Sequence, residues 1–530
     1  MCGILAVIIE NKELDIDSIK SCQESLIKRG PDNQINEYNP KYVFKFSRLS
    51  INDTSDIANQ PFKQNNIIMM CNGEIYNYKQ LIKKYNLNCI SKSDCEPIIH
   101  LYEKLGFLDT INLLDGVFAI ILYDMNNNKC FYATDRIGIR PLFKGITKSG
   151  NIALSSVASG ILDFCNNVER VKPGFGFFEN KKCHHLKYKY NNYLIDKSTP
   201  LWNLNVPLND YNDLFVTIRR YLTNAVKKRL LSDRPICCML SGGLDSSLIT
   251  SIMCKLIGPQ NVHTFSIGME GALDLKYAKK VADYLGTTHT EVFFTPEEGF
   301  SIIPQLIKDL ECYDITTIRA SVGMWLLSRY ISKNTNFKVI LSGEGSDELF
   351  GGYLYFHHAP SPEEFIVESK RLIDNLYLYD VLRADRSVSS HGLELRVPFL
   401  DKNFVNYILA LEPKVKMVKN DMEKFVLRES FKNNYLPDEI LWRRKDGFSD
   451  GCSNPKKSWY MYIQEFVEDI IPDQEFDKYI SEFPSKEAYY YKKIYNQFFP
   501  TYQPIYDYWL PKWVKHNGDP SGRLINVFTK

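Results

Sequence analysis

Pro235-Ile236-Cys237-Cys238-Met239-Leu240-Ser241-Gly242-Gly243-Leu244-Asp245-Ser246-Ser247 reads as strand, turn and helix in direct succession. Ile236 to Leu240 is an apolar run of the length a buried strand uses. Ser241-Gly242-Gly243 stops it, and Leu244, Leu248, Ile249 and Ile252 then recur on one helical face. A strand, a glycine turn and a helix N-terminus together cradle phosphate. The glycines let the backbone approach, and the first helical turn offers free N–H groups at the positive end of its dipole. Ser241, Ser246 and Ser247 add hydroxyls, and Asp245 can hold a cation. No Lys follows the glycines, so this is not the Walker pattern that grips a γ-phosphate.

Further along, Val262–Ile267 and Val339–Leu341 read as strands, with helical patterns between them. Strands alternating with helices predict a doubly wound parallel sheet covered on both faces, with additional helices after it. Ligands of such sheets sit at the carboxyl ends of the strands. Three loops leave those ends: Ser241–Ser247, Ser266–Gly271, and Ser342-Gly343-Glu344-Gly345-Ser346-Asp347-Glu348. Three Ser/Gly-rich loops predict a nucleotide pocket. Leu240 and Ile267 would flank an adenine. Ser241, Gly242, Gly243, Ser246, Ser342 and Gly343 would line the phosphates. Asp245 and Asp347 would share a Mg²⁺, which needs only one or two carboxylates beside substrate phosphates. For Asp347 a helix N-cap is the simpler role. Arg443-Arg444-Lys445-Asp446-Gly447-Phe448-Ser449-Asp450-Gly451 reads either as a solvated loop or as a lid that carries Lys445 to phosphate oxygens. His391 to Asp401 is a second charged, glycine-bearing segment, and Pro455 to Tyr508 is aromatic-rich and uninformative.

The 530 residues predict two or more domains, each able to bury its own core. Basic and acidic residues nearly cancel, 65 against 63, which argues against a general nucleic-acid or membrane-surface binder. No apolar run approaches the ~18 residues of a membrane helix, and the N-terminus has no secretory pattern. Thirteen cysteines without paired spacing predict reduced thiols and a cytoplasmic location, and make structural zinc unexpected.

The chain opens Met1-Cys2-Gly3-Ile4-Leu5-Ala6-Val7-Ile8. Loss of Met1 would leave Cys2 with a free α-amine able to activate its own thiol. Taken alone, Cys2 reads better as a small hydrophobe in a first strand. Four further stretches change that balance: Arg29-Gly30-Pro31-Asp32; Arg48-Leu49-Ser50-Ile51 after an alternating strand, Val43 to Phe46; Asn72-Gly73-Glu74 after the strand Ile67 to Cys71; and Ser93-Asp94-Cys95-Glu96, opening a helix. An Arg can clamp a carboxylate and two acids can hold an ammonium. An Asn amide with a Gly N–H can stabilise an oxyanion. Together they would bind a free amino acid and attack its side-chain amide. Residues from about Lys181 to Asn212 lack periodicity and read as a linker. The expected domains are 1–207 and 208–530.

The glycine loop resembles the SGGxDS pyrophosphate loop of ATP pyrophosphatases. The N-terminal motifs, continuing through Leu114-Asp115-Gly116 and Asp135-Arg136-Ile137-Gly138, resemble a glutamine amidotransferase of the N-terminal-nucleophile type. That resemblance implies an αββα sandwich for the first domain. It assigns Cys2 as nucleophile, Asn72 and Gly73 to the oxyanion hole, and Arg48 to the α-carboxylate. Glu74 and Asp94 would hold the α-amine, with Leu49, Ser50, Ile51 and Asn52 beside the glutamine. Lys28 stands where the family usually has His. Together, and in this order, the motifs resemble the glutamine-hydrolysing asparagine synthetases over nearly the whole chain. The resemblance implies glutamine, aspartate and ATP as small-molecule substrates, Mg²⁺, a β-aspartyl-AMP intermediate, Glu344 as a catalytic base and Lys445 as a phosphate ligand. It admits a homodimer, and it implies no nucleic-acid partner and no membrane. An amidotransferase for another acid and a catalytically silent homologue are the rival readings. Intact Cys2, Arg48, Asn72, Asp94, Asp245 and Glu344 argue against the second.

Overall fold

The computed structural model describes residues 1–10, 19, 23–179, 182–188, 211–445, 451–454, 457–504 and 508–514. The chain forms two compact units. The first holds Met1–Lys189 with two later segments, Leu231–Pro235 and Val388–Leu395; the second holds the remainder. The later segments join the first unit through specific bonds. Asp233 Oδ2 accepts from Asp53 N at 2.8 Å, Arg234 Nε donates to Ser50 O at 3.0 Å, and Arg29 Nη1 donates to Ser389 Oγ at 3.0 Å.

The first unit has two antiparallel sheets. Its strands are β1 Gly3–Ile8, β2 Asn33–Asn39, β3 Tyr42–Arg48, β4 Phe62–Gln64, β5 Ile67–Ile75, β6 Gly116–Asp124 and β7 Lys129–Thr134. They continue with β8 Phe143–Thr147, β9 Ile152–Ser155, β10 Cys165–Arg170, β11 Phe175–Glu179 and β12 Lys182–Leu186. The sheet orders are β10-β8-β9-β1-β3-β2 and β12-β11-β7-β6-β5-β4. Side chains alternate between the two faces of a strand. Ile4, Ala6 and Ile8 of β1, with Phe44 and Phe46 of β3, therefore meet Ile68 and Met70 of β5 between the sheets. Met69, Cys71 and Ile75 of β5 point the other way. They pack on Leu81, Ile98, Leu101 and Ile111, from the helices Tyr78–Tyr85, Pro97–Leu105 and Phe107–Leu113. On the outer side of the first sheet, a Cβ at Gly3 would lie 2.8 Å from Leu26 O of the helix Gln23–Ile27. The result is the expected αββα sandwich.

Three local expectations need correction. The alternation predicted for Val43 to Phe46 is absent, because both faces of β3 are covered and all seven residues are buried. Lys45 is among them, and its Nζ donates to Ile19 O at 2.6 Å. Asn72, Gly73 and Glu74 lie inside β5 and not after it, because β6 continues the pairing through Ile75 and Gly116. Part of the expected linker is β12, which pairs with β11 from Phe175 and Leu186 to Glu179 and Lys182. Residues 189–210 of that linker lie outside the described residues.

The second unit is built on a parallel sheet: β13 Ile236–Met239, β14 His263–Gly268, β15 Thr288–Phe293 and β16 Val339–Leu341; the short edge strand β17 Glu394–Arg396 begins in the first unit's segment Val388–Leu395 and ends at Arg396 of the second. The order is β15-β14-β13-β16-β17. The chain steps outward from β13 to β14 and β15, then returns to the other side of β13. The winding thus reverses between β13 and β16, and at such a switch point the loops diverge and leave a crevice. β15 and β17 were not read from the sequence: β15 begins Thr-His-Thr-Glu, with no continuous apolar run, and β17 is three residues with a charge at each end. The aromatic-rich tail contains the helices Trp459–Ile470 and Lys486–Phe498. Phe466 stacks on Phe300 of the helix Pro296–Leu310 with ring centroids 4.3 Å apart, and Glu487 binds Arg319 of the helix Ile315–Asn334.

One group in this unit works against stability. Lys416 ends the short helix Pro413–Lys416, is fully buried, and its Nζ has no hydrogen-bond partner among the described residues. Burial alone pushes its pKa down to about 7. Between pH 7 and its ordinary range near 10, the unfolded chain holds a proton that the folded chain has released. Stability therefore rises with pH across that window. Lys416→Met is expected to stabilise the protein at pH 7 by on the order of 3 kcal/mol, a gain that shrinks as pH approaches 10. Denaturant unfolding of parent and variant at the two pH values measures it, and equal gains at both would contradict the buried charge.

Candidate active sites

In the first unit the inner face carries polar residues at one end. Cys2 precedes β1 in the same alternation as Ile4 and Ala6. Asn72 and Glu74 continue that of Ile68 and Met70. All three therefore open toward the space between the sheets. The Cys2 thiol reaches Leu49 O at 3.8 Å, which puts it beside the loop 48–52. Asn72 is fully buried, yet neither its Nδ2 nor its Oδ1 has a partner among the described residues. A buried amide left unsatisfied costs about 1–3 kcal/mol and points to a ligand. Gly73 is confined by β6, since a Cβ there would lie 2.2 Å from Val117 O. Tyr76 N donates to Asp115 O at 2.8 Å. In the alternation of an antiparallel ladder, Asn72 and Glu74 then form bonded pairs with Ala119 and Val117, while Gly73 opposite Phe118 does not. Its N–H is left out of that ladder.

The other expected glutamine residues gather around this space. Asn52 Nδ2 donates to Glu74 Oε2, and Asp94 Oδ2 accepts from Ile75 N at 2.6 Å. Burial pushes the Asp94 carboxyl up to about 6, against its bonds from Ile75 and Asn52. Arg48 Nη1 donates to Ser55 O at 2.7 Å and to Asn59 Oδ1 at 2.8 Å, and Nη2 donates to Asp53 O. Three of its five N–H groups are thus spent on the loop 53–59, leaving Nε–H and one on Nη2. Ser50 N donates to Asp32 Oδ2 at 2.8 Å, and Arg29 Nε to Cys2 O at 3.1 Å. The Arg29–Asp32 turn therefore brackets both Cys2 and the 48–52 loop. Leu49 and Ile51 are buried beside it and shape the loop. Burial pushes the Cys2 thiol up, with the neighbouring N-terminal ammonium pulling it back. The free amine here belongs to Met1, itself buried with its N 3.6 Å from Glu394 Oε2. Cys2 acquires its own amine only when Met1 is removed.

In the second unit a cavity of about 260 Å³ opens at the switch point. Of the expected residues, Leu240, Ser241, Asp245, Ser246, Ile267, Ser342, Gly343, Glu344, Asp347 and Lys445 line it. Gly242 does not. Its φ is +71°, and a Cβ would lie 2.4 Å from Ala278 N, so its part is to make the turn. Gly243 caps the helix Leu244–Ile257 and lines an adjoining 80 Å³ recess with Lys424, Arg443 and Arg444. A Cβ on Gly343 would lie 2.8 Å from both Asp245 Cβ and Ser246 N, so the loops after β13 and β16 touch there.

Asp347 is not a cap. Gly345 caps the helix Ser346–Phe350, and the Asp347 carboxylate is bound by two lysines. Lys445 Nζ lies 2.8 Å from Asp347 Oδ2, and Lys424 Nζ lies 2.8 Å from Oδ1 and 2.6 Å from Asp245 Oδ2. Burial raises the Asp347 pKa, but the two ammonium groups outweigh it and hold the carboxyl well below the usual range. Asp245 Oδ1 has no partner among the described residues and is the acceptor a bound cation would take. Glu344 accepts from Arg383 Nη2 at 2.8 Å, and the same guanidinium binds Asp380 at 2.9 Å. Burial nevertheless pushes Glu344 above its ordinary value.

Lys424, Arg383, Asp380, Arg319, Tyr353 and Trp509 were missed by sequence reasoning. Tyr353 follows the pair Gly351-Gly352 at the end of the third loop, while the other five sit in no glycine-rich loop and repeat with no period. Lys424 alone carries a local trace, the run Asn420-Asp421 before it, whose residues share its positive φ. Residues 446–450 of the expected lid lie outside the described residues.

Comparison with known proteins divides the chain in the same sense. A glutamine amidotransferase domain family matches residues 1–177, and the asparagine synthase family matches 217–370 and 363–517. The glutamine-hydrolyzing asparagine synthetase of Homo sapiens is 42% identical over 569 aligned residues, covering 100% of this chain and 99% of that protein. The enzyme of the same name from Gallus gallus is 41% identical over 563 residues, with the same coverage.

The Asp245–Lys424–Asp347 arrangement can be tested without substrate. Removing one member of a buried ion group leaves charge uncompensated at a cost of about 3–5 kcal/mol. Lys424→Met is expected to lose about 3 kcal/mol of stability, the lower end because both aspartates are partly solvated. Millimolar Mg²⁺ should restore part of that loss in the variant and add little to the parent. Thermal unfolding with and without Mg²⁺ reads both effects, and an unchanged melting temperature in Lys424→Met would refute the bridging role.

Proposed function

The chain belongs to the asparagine synthetase family of the glutamine-hydrolysing class, and on that premise we propose that it makes L-asparagine from L-aspartate and ATP with ammonia taken from L-glutamine. One chain carries two different constellations, and their combination supports this carbon–nitrogen ligase reading. A thiol shares an inner face with an unsatisfied buried amide, and a switch-point cavity is lined by Asp245, Asp347 and Lys445. Residues 1–207 act as the glutaminase and 208–530 as the synthetase.

In the glutaminase, Arg48 takes the glutamine α-carboxylate with its remaining N–H groups, and Glu74 and Asp94 take the α-ammonium. After removal of Met1, the Cys2 amine accepts the thiol proton and Sγ attacks the side-chain amide carbon. Asn72 Nδ2 and Gly73 N–H stabilise the oxyanion. Ammonia leaves, and water releases glutamate from the thioester.

In the synthetase, adenine lies between Leu240 and Ile267, and the phosphates lie over Ser241–Ser246 and Ser342-Gly343. Asp245 and Asp347 are the groups that would hold a magnesium ion, which when bound neutralises charge on the phosphates. Lys445 and Lys424 place ammonium groups at the same spot. The aspartate side-chain carboxylate attacks the α-phosphorus, pyrophosphate leaves, and β-aspartyl-AMP forms. Activation is needed because a carboxylate oxygen is a poor leaving group and AMP is a good one. Ammonia then attacks the acyl carbon, with ionised Glu344 accepting its proton. The Arg383 guanidinium favours the ionised form of that carboxyl and opposes the upward push of burial. Twelve described cysteines are free thiols, which suits a reducing, cytosolic setting.

Cys2→Ala tests the separation of the two chemistries. It should lose glutamine-driven synthesis by more than about a thousandfold yet keep ammonia-driven synthesis, which improves at higher pH as ammonium deprotonates. Asparagine formed from each nitrogen source is the measurement; loss of both activities in a folded variant would mean the sites are not separable. Glu344→Gln should show the opposite pattern, with synthesis from either source down at least about a hundredfold and glutaminase retained. Near-parent synthesis by this variant would remove Glu344 from the mechanism.

A further inference from the structure

Outside both sites, the first unit brings a thiol, a carboxylate and an imidazole to one point. We propose that Cys89, Glu96 and His100 form a divalent-metal site, for which zinc is the ion their donors fit. One ligand atom from each lies within 4.8 Å of the others. His100 Nε2 and Glu96 Oε1 are 3.4 Å apart, which is long for a hydrogen bond. It matches the edge of a tetrahedron with metal bonds near 2.0–2.1 Å, about 3.3–3.4 Å.

The sequence builds this arrangement locally. Glu96 is the N-cap of the helix Pro97–Leu105, and His100 follows one turn later on the same side. Cys89 comes back to them through the turn 90–95. The Glu96 carboxylate is already oriented, because Oε1 accepts from Ile90 N at 2.8 Å, and Oε2 from Ser91 N at 2.7 Å and from Ser91 Oγ. A carboxylate has about four lone-pair positions, so these three bonds leave one, on Oε1, the oxygen that faces His100. Backbone donors behind a ligand are the outer support that metal sites use. Cys89 and His100 are only half-buried, which gives an ion a route in and leaves a fourth position for water. A thiolate and an imidazole select zinc over the hard cations magnesium and calcium.

A metal here clips residues 89 to 100 together around Asp94. It would stiffen the turn that presents Asp94, a consequence that rests on the glutaminase reading. The metal site itself does not rest on it.

The experiment uses the full chain, stripped with EDTA, desalted into buffer with a phosphine reductant, and titrated with Co²⁺. The expected result is a near-ultraviolet thiolate-to-cobalt band that saturates at one ion per chain and is abolished by added Zn²⁺. Cys89→Ser should remove the band, and His100→Ala should weaken binding by at least about tenfold. Unfolding curves verify that each variant is folded. Should Cys89→Ser not fold, loss of the band in His100→Ala or in Glu96→Gln decides the matter. Binding at Asp245 and Asp347 would give no thiolate band. Absence of the band, or a band that survives Cys89→Ser, would overturn the proposal.

Discussion

Two carboxylates brought together in a partly dry crevice cannot both stay ionised without a cation between them, and Lys424 supplies that cation to Asp245 and Asp347. Much of the second unit follows from this arrangement. Asp245 opens the helix after β13, and Asp347 lies in the helix after β16, so the two acids mark the two sides of the switch point. Lys424 arrives from a distant segment with φ at +56°, a conformation a side-chain-bearing residue adopts only when its surroundings compel it. Lys445 completes the group from a fourth segment. Charge balance therefore joins stretches that have no local reason to meet. It also places positive charge where a triphosphate would need it.

Beside this cluster, Arg383 plays the same part for Glu344 and Asp380. The aromatic-rich tail contributes indirectly, since Glu487 holds Arg319 at the cavity wall. A region with no catalytic motif thus supports the cavity through one buried ion pair.

The first unit solves a different problem. Its inner face is apolar along most of its length, and polar at the end where Cys2, Asn72 and Glu74 open. Most buried polar groups there are satisfied: Asn52 binds Glu74, Ile75 N binds Asp94, and Asp32 holds Ser50 N. Asn72 differs in that neither atom of its side-chain amide has a partner among the described residues, and a wholly unsatisfied buried amide marks where a ligand's developing charge would lie.

Sequence by itself determined the glycine turn at Ser241–Gly243, the parallel α/β order of the second unit and most of the loop residues that line its cavity. Each is legible because its cause is local: a phosphate-cradling turn needs glycines and hydroxyls side by side, and a buried strand needs a continuous apolar run. The αββα sandwich and the pairing of Cys2 with Asn72 came from the order of motifs rather than from periodicity. Strand β3 shows why, since its lysine is buried and the alternation carries no information once both faces are covered. Only the tertiary structure could show that Lys424 bridges the two aspartates, that Arg48 is largely occupied by its own loop, and that Cys89, Glu96 and His100 converge. The physical reason is common to all three. A buried charge, and equally a metal-binding trio, is selected by its partners' positions in space. Those positions are set by how sheets and helices pack, not by neighbours along the chain.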